Sequence, residues 1–228
     1  MTLELIVLYI LSSFVFAVAH GFERFGWVRT LLLLGLTFSI SLLFESAGVL
    51  SGLVYGSYSY TNSLGPMFAG LVPYIIPVAW FVIMYPSLII ALRVVPECCN
   101  RIYWVVLVAC VGALVMTAMD LALDPIMVSF GYWVWEPDGT YFGVPLLNYL
   151  SWWVTTFIVF CAFLLLGRIK RPESIQASTT FNRLPVISYA ITGLSTVLVA
   201  SGLELDGAAL VGFIGMLPWV IMGWWGND

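Results

Sequence analysis

Charge is scarce in this sequence. Eight Lys or Arg and twelve Asp or Glu make up 9% of 228 residues, against roughly 25% in ordinary soluble domains. Hydrophobic residues reach 62% and the mean hydropathy is +1.05. A water-soluble fold of this size could not hide so much apolar surface, because its own surface grows with its size. A soluble enzyme and a disordered chain are therefore excluded. Eight scattered basic residues also leave no footprint for nucleic acid. Histidine occurs once, as His20, and the four cysteines (Cys98, Cys99, Cys110 and Cys161) contain no C-x-x-C spacing. That excludes a Cys/His zinc set and a disulfide scaffold, and the cysteines read as small, reduced apolar side chains. Lysine also occurs once, as Lys170 in a loop. A retinal Schiff base would need a lysine inside the last helix, so a rhodopsin is excluded. No metal set and no phosphate loop are present, and no cofactor is expected.

Long apolar runs are abundant. A helix needs about 20 apolar residues to cross a bilayer core, and seven stretches qualify, roughly 2–20, 28–50, 67–92, 102–124, 146–167, 185–202 and 208–225. The expected fold is all-α, a polytopic membrane helical bundle forming a single integral-membrane domain over 1–228. The first run carries Glu4 instead of a basic segment and lacks a small-residue cleavage site, so it reads as a span and not a signal peptide. Arg24, Arg29, Arg93, Arg101, Arg168, Lys170, Arg171 and Arg183 all fall on alternate connections. The positive-inside rule assigns those connections to the cytoplasm. It predicts a multi-pass cell-membrane protein with its N-terminus outside and its C-terminus cytoplasmic.

An internal repeat is expected. The stretch from Glu45 to Tyr55-Gly56-Ser57-Tyr58-Ser59-Tyr60 matches that from Asp120 to Phe130-Gly131-Tyr132-Trp133-Val134-Trp135 at an offset of 75. Val72-Pro73 and Trp80 match Val144-Pro145 and Trp152 at an offset of 72. Units of about 35–92 and 110–167 would be parallel copies, and internal repeats commonly place a site at their interface.

Three carboxyls stand near the outer ends of spans, where a charge is costly and each is a functional candidate. They are Glu45 in the second span and Asp120 and Asp124, spaced i, i+4, in the fourth. Close pairing, burial and the negative helix end all favour a protonated acid. Pro125 is expected to end the helix at Asp124. Tyr55, Tyr58, Tyr60, Trp133 and Trp135 fill the two outer connections, and Trp152 begins the fifth span on the same side. They read either as an interfacial belt or as the walls of a cavity whose ring faces would stabilise a cation. On the second reading Trp133 and Trp135 face Tyr58 and Tyr60. Asn148 could orient a water or bond a carbonyl freed by Pro145.

The stretches Glu45 to Tyr60, Gly70 to Trp80, Met119-Asp-Leu-Ala-Leu-Asp-Pro125, Gly131-Tyr-Trp-Val-Trp135 and Gly139 to Asn148 resemble the membrane carotenoid hydratase family. The motif resemblance covers about 35–165. It implies a hydro-lyase of carotenoid biosynthesis. Such an enzyme adds water, without a cofactor, to the terminal double bond of an acyclic end of bisanhydrobacterioruberin type or of lycopene or γ-carotene type. The matching positions are Glu45, Asp120, Asp124, Trp133, Trp135 and Asn148. Catalytic roles are expected for Asp120, Asp124 and Glu45. The aspartates would share a proton, one acting as general acid, while Glu45 positions or deprotonates water. Tyr55, Tyr58, Tyr60, Trp133, Trp135, Asn148 and Trp152 would bind substrate. The implied partners are a membrane-dissolved carotenoid, water, and other membrane enzymes of the same pathway.

Two other readings use the same residues. A lycopene-type cyclase would capture the cation with a second double bond. A proton-coupled transporter or carotenoid-binding protein would use the carboxyls as a relay or a polar anchor. A prenyltransferase is disfavoured, because neither a second acidic cluster nor basic pyrophosphate contacts are present.

Overall fold

Apolar runs of this length bury their backbone polar groups only as helices. The computed structural model, which describes residues 3–96, 100–169 and 179–226, has seven: α1 (Leu3–Phe25), α2 (Trp27–Ser51), α3 (Ile75–Val94), α4 (Arg101–Ser129), α5 (Leu146–Leu166), α6 (Thr179–Gly202) and α7 (Asp206–Trp225). All seven are long and apolar enough to cross a membrane. The fold is an all-α polytopic bundle and the chain is a multi-pass membrane protein. Cys98, Cys99, Lys170 and Arg171 lie outside the described residues.

Successive helices run in opposite directions. α3 is the central rod, buried over most of its length and packed by α1, α2, α4, α6 and α7. One end of the bundle is marked by arginines that donate to terminal carbonyls, which helices leave without intrahelical partners. Arg93 Nε donates to Gly223 O at 2.7 Å and its Nη2 to Gly226 O at 3.0 Å. Arg29 Nε donates to Gly167 O at 3.1 Å.

The opposite end carries two small antiparallel ribbons. β1 (Tyr58–Tyr60) pairs with β4 (Trp133–Trp135), with Tyr58 opposite Trp135 and Tyr60 opposite Trp133. β2 (Met67–Phe68) pairs with β3 (Val72–Pro73). The third span is accordingly shorter than the apolar run 67–92, because its first residues form this hairpin and the helix starts at Ile75.

Pro125 does not end its helix. α4 continues to Ser129, so Asp124 is an interior helical residue. Proline removes the hydrogen bond to the carbonyl four residues back, which here is Leu121 O. The phenol of Tyr141 donates to that oxygen at 2.9 Å. Pro185 in α6 is accommodated in the same way, since His20 Nε2 donates to Phe181 O at 3.0 Å. A carbonyl can only accept, so His20 Nε2 carries a proton, and Nδ1 hydrogen-bonds with Tyr85 Oη at 2.5 Å.

Candidate active site

The β1–β4 ribbon sits over the ends of α2 and α4 and carries the two phenols that meet Glu45. Gly52, at φ 67°, terminates α2 in the left-handed conformation glycine adopts without strain, and its N–H bonds Gly48 O. The chain turns back so that Tyr55 and Tyr58 lie on Gly48. A Cβ there would stand 2.8 Å from the Tyr55 ring and 3.1 Å from the Tyr58 ring. This close approach delivers two phenols to Glu45, one turn before Gly48.

Glu45 is buried and receives three donors. Tyr58 Oη and Tyr60 Oη donate to Oε2, the latter at 2.8 Å, and Trp80 Nε1 donates to Oε1 at 2.9 Å. Hydrogen bonds to a charged group contribute about 1.5–3 kcal/mol each, so this set offsets much of the cost of burying an acid. Burial, and then the neighbouring Glu45, hold the Tyr58 and Tyr60 phenols above the ordinary tyrosine range. Both are therefore donors at neutral pH.

Asp120 and Asp124 are equally buried, one turn apart on α4 and within hydrogen-bond reach of each other. Asn148 lines the cavity, and its amide serves carboxyls on α4 instead of a carbonyl freed by Pro145. Its Nδ2 donates to Asp124 Oδ2 and, at 3.2 Å, to Asp120 Oδ2. The residue clamps the aspartate pair because Pro145 starts α5 there and its first turn faces α4. Asp120 Oδ1 is buried without a hydrogen-bond partner.

Rings close the space between the carboxyls. Tyr58 and Trp135 have centroids 5.6 Å apart, and Tyr60 and Trp133 5.7 Å. Alternation along the ribbon points all four rings to one side. Trp135 Nε1 donates to Tyr55 O at 2.9 Å, and Tyr55 Oη and Thr155 Oγ1 hydrogen-bond at 3.1 Å. The partly open cavity is about 60 Å³, room for a few waters at about 10–15 Å³ each on this measure.

Of the ten residues singled out in the sequence, nine line this cavity: Glu45, Tyr55, Tyr58, Tyr60, Asp124, Trp133, Trp135, Asn148 and Trp152. Asp120 does not; it is fully buried and shares the Asn148 amide with Asp124. Sequence reasoning omitted Trp80, Ile76, Ala79, Ile83 and Leu123 from the lining. For Trp80 the signal was present, since it occupies the position matching Trp152. Among the described residues, no group of three His, Cys, Asp or Glu is placed to hold a metal ion.

The chain matches the family described as carotenoid biosynthesis protein over residues 5–218. It is 32% identical over 108 residues to the bisanhydrobacterioruberin hydratase of Haloarcula japonica, a match covering 47% of this chain and 36% of that protein. No solved structure matches. Seven apolar helices, carboxyls buried in an aromatic chamber and a match running almost from end to end agree: this chain belongs to the carotenoid biosynthesis protein family.

Proposed function

We propose that the chain hydrates the terminal isopropylidene double bond of an acyclic carotenoid end, giving a tertiary alcohol. The observation that carries this is the meeting of Asp124 and Glu45 in one ring-walled cavity, with different hydrogen-bond settings. Asp124 belongs to a pair served by one amide, a setting that suits a neutral acid. Glu45 has three donors and matches a carboxylate, which only accepts.

Asp124 gives its proton to the CH carbon of the double bond, and the π pair forms the new C–H bond. The adjacent carbon becomes a tertiary cation. The Trp133, Trp135, Tyr58 and Tyr60 rings stabilise it through their faces. Water attacks the cation through oxygen, and Glu45 takes the proton that water loses. One proton leaves Asp124 and one arrives at Glu45, so return of that proton to the aspartate pair closes a cycle that consumes only water and alkene. Asp120 and Asn148 hold Asp124 in position. The bisanhydrobacterioruberin hydratase relative supports an end of that type, and lycopene or γ-carotene ends have the same isopropylidene group.

A second reading is supported by the ring-rich wall. A cyclase would use the same acid and let a second double bond capture the cation. Purified protein in lipid nanodiscs, supplied with lycopene in ¹⁸O-labelled water, separates the two. Hydration puts the label into a tertiary alcohol, whereas unlabelled cyclic isomers would overturn hydration.

A further inference from the structure

α1 and α6 are fastened to each other near their ends at the arginine side. Besides the His20 to Phe181 hydrogen bond, Arg24 Nη1 donates to Asn182 Oδ1 at 3.0 Å, and the His20 and Phe181 rings stack at 4.1 Å. Toward the ribbon side the two helices are bridged by a hydrogen bond between the Tyr9 and Thr192 hydroxyls, at 2.5 Å. Behind that bridge lies a groove of about 250 Å³ between α1, α3, α4 and α6.

The groove has no charged lining residue. Ile6, Ile10, Val82, Ile126, Met127 and Val199 supply much of its surface. Its threonine hydroxyls are occupied, since Thr192 Oγ1 donates to Ser188 O at 2.8 Å and Thr196 Oγ1 to Thr192 O at 2.9 Å. Such bonds to the helix's own carbonyls leave a ligand little polarity to meet. The groove shares Ile76, Ala79, Ile83, Leu123 and Trp133 with the carboxyl cavity, so the two spaces adjoin.

We propose that this groove is the subsite for the hydrocarbon chain of the substrate. The carotenoid reaches it sideways from the lipid, between α1 and α6, with the Tyr9–Thr192 pair at the mouth. Its end passes Trp133 to meet Asp124. This rests on the hydration reading above. Sites that enclose a drug-sized ligand measure about 300–1,000 Å³, so the groove holds only the terminal segment and the rest of the polyene stays in lipid. Each encounter therefore treats one end.

Two probes test this in nanodiscs with the full chain. Lycopene fills the cavity and the length of the groove, whereas 2-methyl-2-heptene carries the same double bond on a four-carbon tail and reaches only the part of the groove that adjoins the cavity. Thr196→Trp and Ser195→Trp fill the groove from α6. Each should lower lycopene hydration and lycopene retention by about tenfold or more, the effect of ~1.4 kcal/mol. Both should hydrate 2-methyl-2-heptene like wild type. Leu194→Trp and Leu198→Trp, on the exposed face of α6, should change neither probe. Folded Thr196→Trp and Ser195→Trp proteins that retain and hydrate lycopene normally would overturn the subsite. Val199→Cys keeps the test open if the tryptophans do not fold. Lycopene should slow its alkylation by a membrane-permeant maleimide, and an unchanged rate would count against the groove. Wild type that hydrates neither probe but still retains lycopene, with lycopene still slowing alkylation of the Val199→Cys variant, would sink hydration and leave the subsite standing.

Discussion

Trp80 of α3 and Trp152 of α5 stack with ring centroids 4.2 Å apart and planes 23° from parallel. They occupy corresponding positions of the proposed repeat, so the stack joins the two units at equivalent points. Their surroundings differ. Trp80 Nε1 donates to Glu45, whereas the carboxyl pair of the second unit is held by Asn148. On the proposed repeat and the proposed mechanism, the two copies of one carboxyl-bearing hairpin would have diverged into an acid side and a base side. Trp80→Phe keeps an aromatic ring in the stack and removes the donor. Losing a hydrogen bond of about 1.5–3 kcal/mol to a charged group should slow hydration by about 10- to 100-fold with the fold retained. Trp152→Phe should cost less. Product formed per unit of detergent-stable protein decides, and equal losses would remove the special role of Glu45.

Asp124→Asn should lower turnover by about 10²-fold or more, the scale of general acid catalysis. Asp120→Asn should cost less, because Asp120 does not line the cavity. Both proteins should fold, as Asn is neutral and isosteric with a protonated acid. Single-turnover rates compare them. A larger loss at Asp120 would reverse the assignment, and full activity in Asp120→Asn, Asp124→Asn and Glu45→Gln alike would end the carboxyl mechanism.

The ring wall makes a graded prediction. Trp133→Leu should fold yet lose rate, by tenfold per ~1.4 kcal/mol of cation stabilisation removed, and Trp133→Phe should fall between it and wild type. The same series at Tyr58 tests the facing strand, although there loss of the Glu45 donor adds to the effect. Unchanged specific activity across the Trp133 series would make that ring a membrane anchor.

Much of this arrangement was legible in the sequence, for identifiable reasons. Twenty-residue apolar runs admit only helices, so seven spans followed directly. Costly intramembrane acids and an offset of 75 drew attention to Glu45, Asp124 and the paired aromatics. Continuation of α4 past Pro125 was not legible, because it depends on Tyr141, 20 positions after Leu121, supplying the missing donor. The facing of Tyr58 and Tyr60 by Trp133 and Trp135 is legible from the repeat, but their pairing as an antiparallel ribbon is not. Strands of three residues, 75 apart, carry no period long enough to recognise. The sequence offers Asn148 a water or a carbonyl freed by Pro145, and the carboxyls that its Nδ2 meets are on another helix, beyond the reach of local pattern.

Orientation follows from charge placement as a proposal. A reporter fused after Asp228 should face the cytoplasm, and one inserted near Asn62 should face outside. The opposite pattern would move the ribbon and its cavity to the cytoplasmic face.

The most direct test is pigment mass after expressing the chain in a host that accumulates lycopene. Hydration predicts products heavier by one water per treated end, with the singly hydrated pigment appearing before the doubly hydrated one. It also predicts loss of both products in Asp124→Asn. Pigments of unchanged mass from a folded, membrane-inserted wild-type protein, whether lycopene itself or cyclic isomers, would contradict hydration of that end.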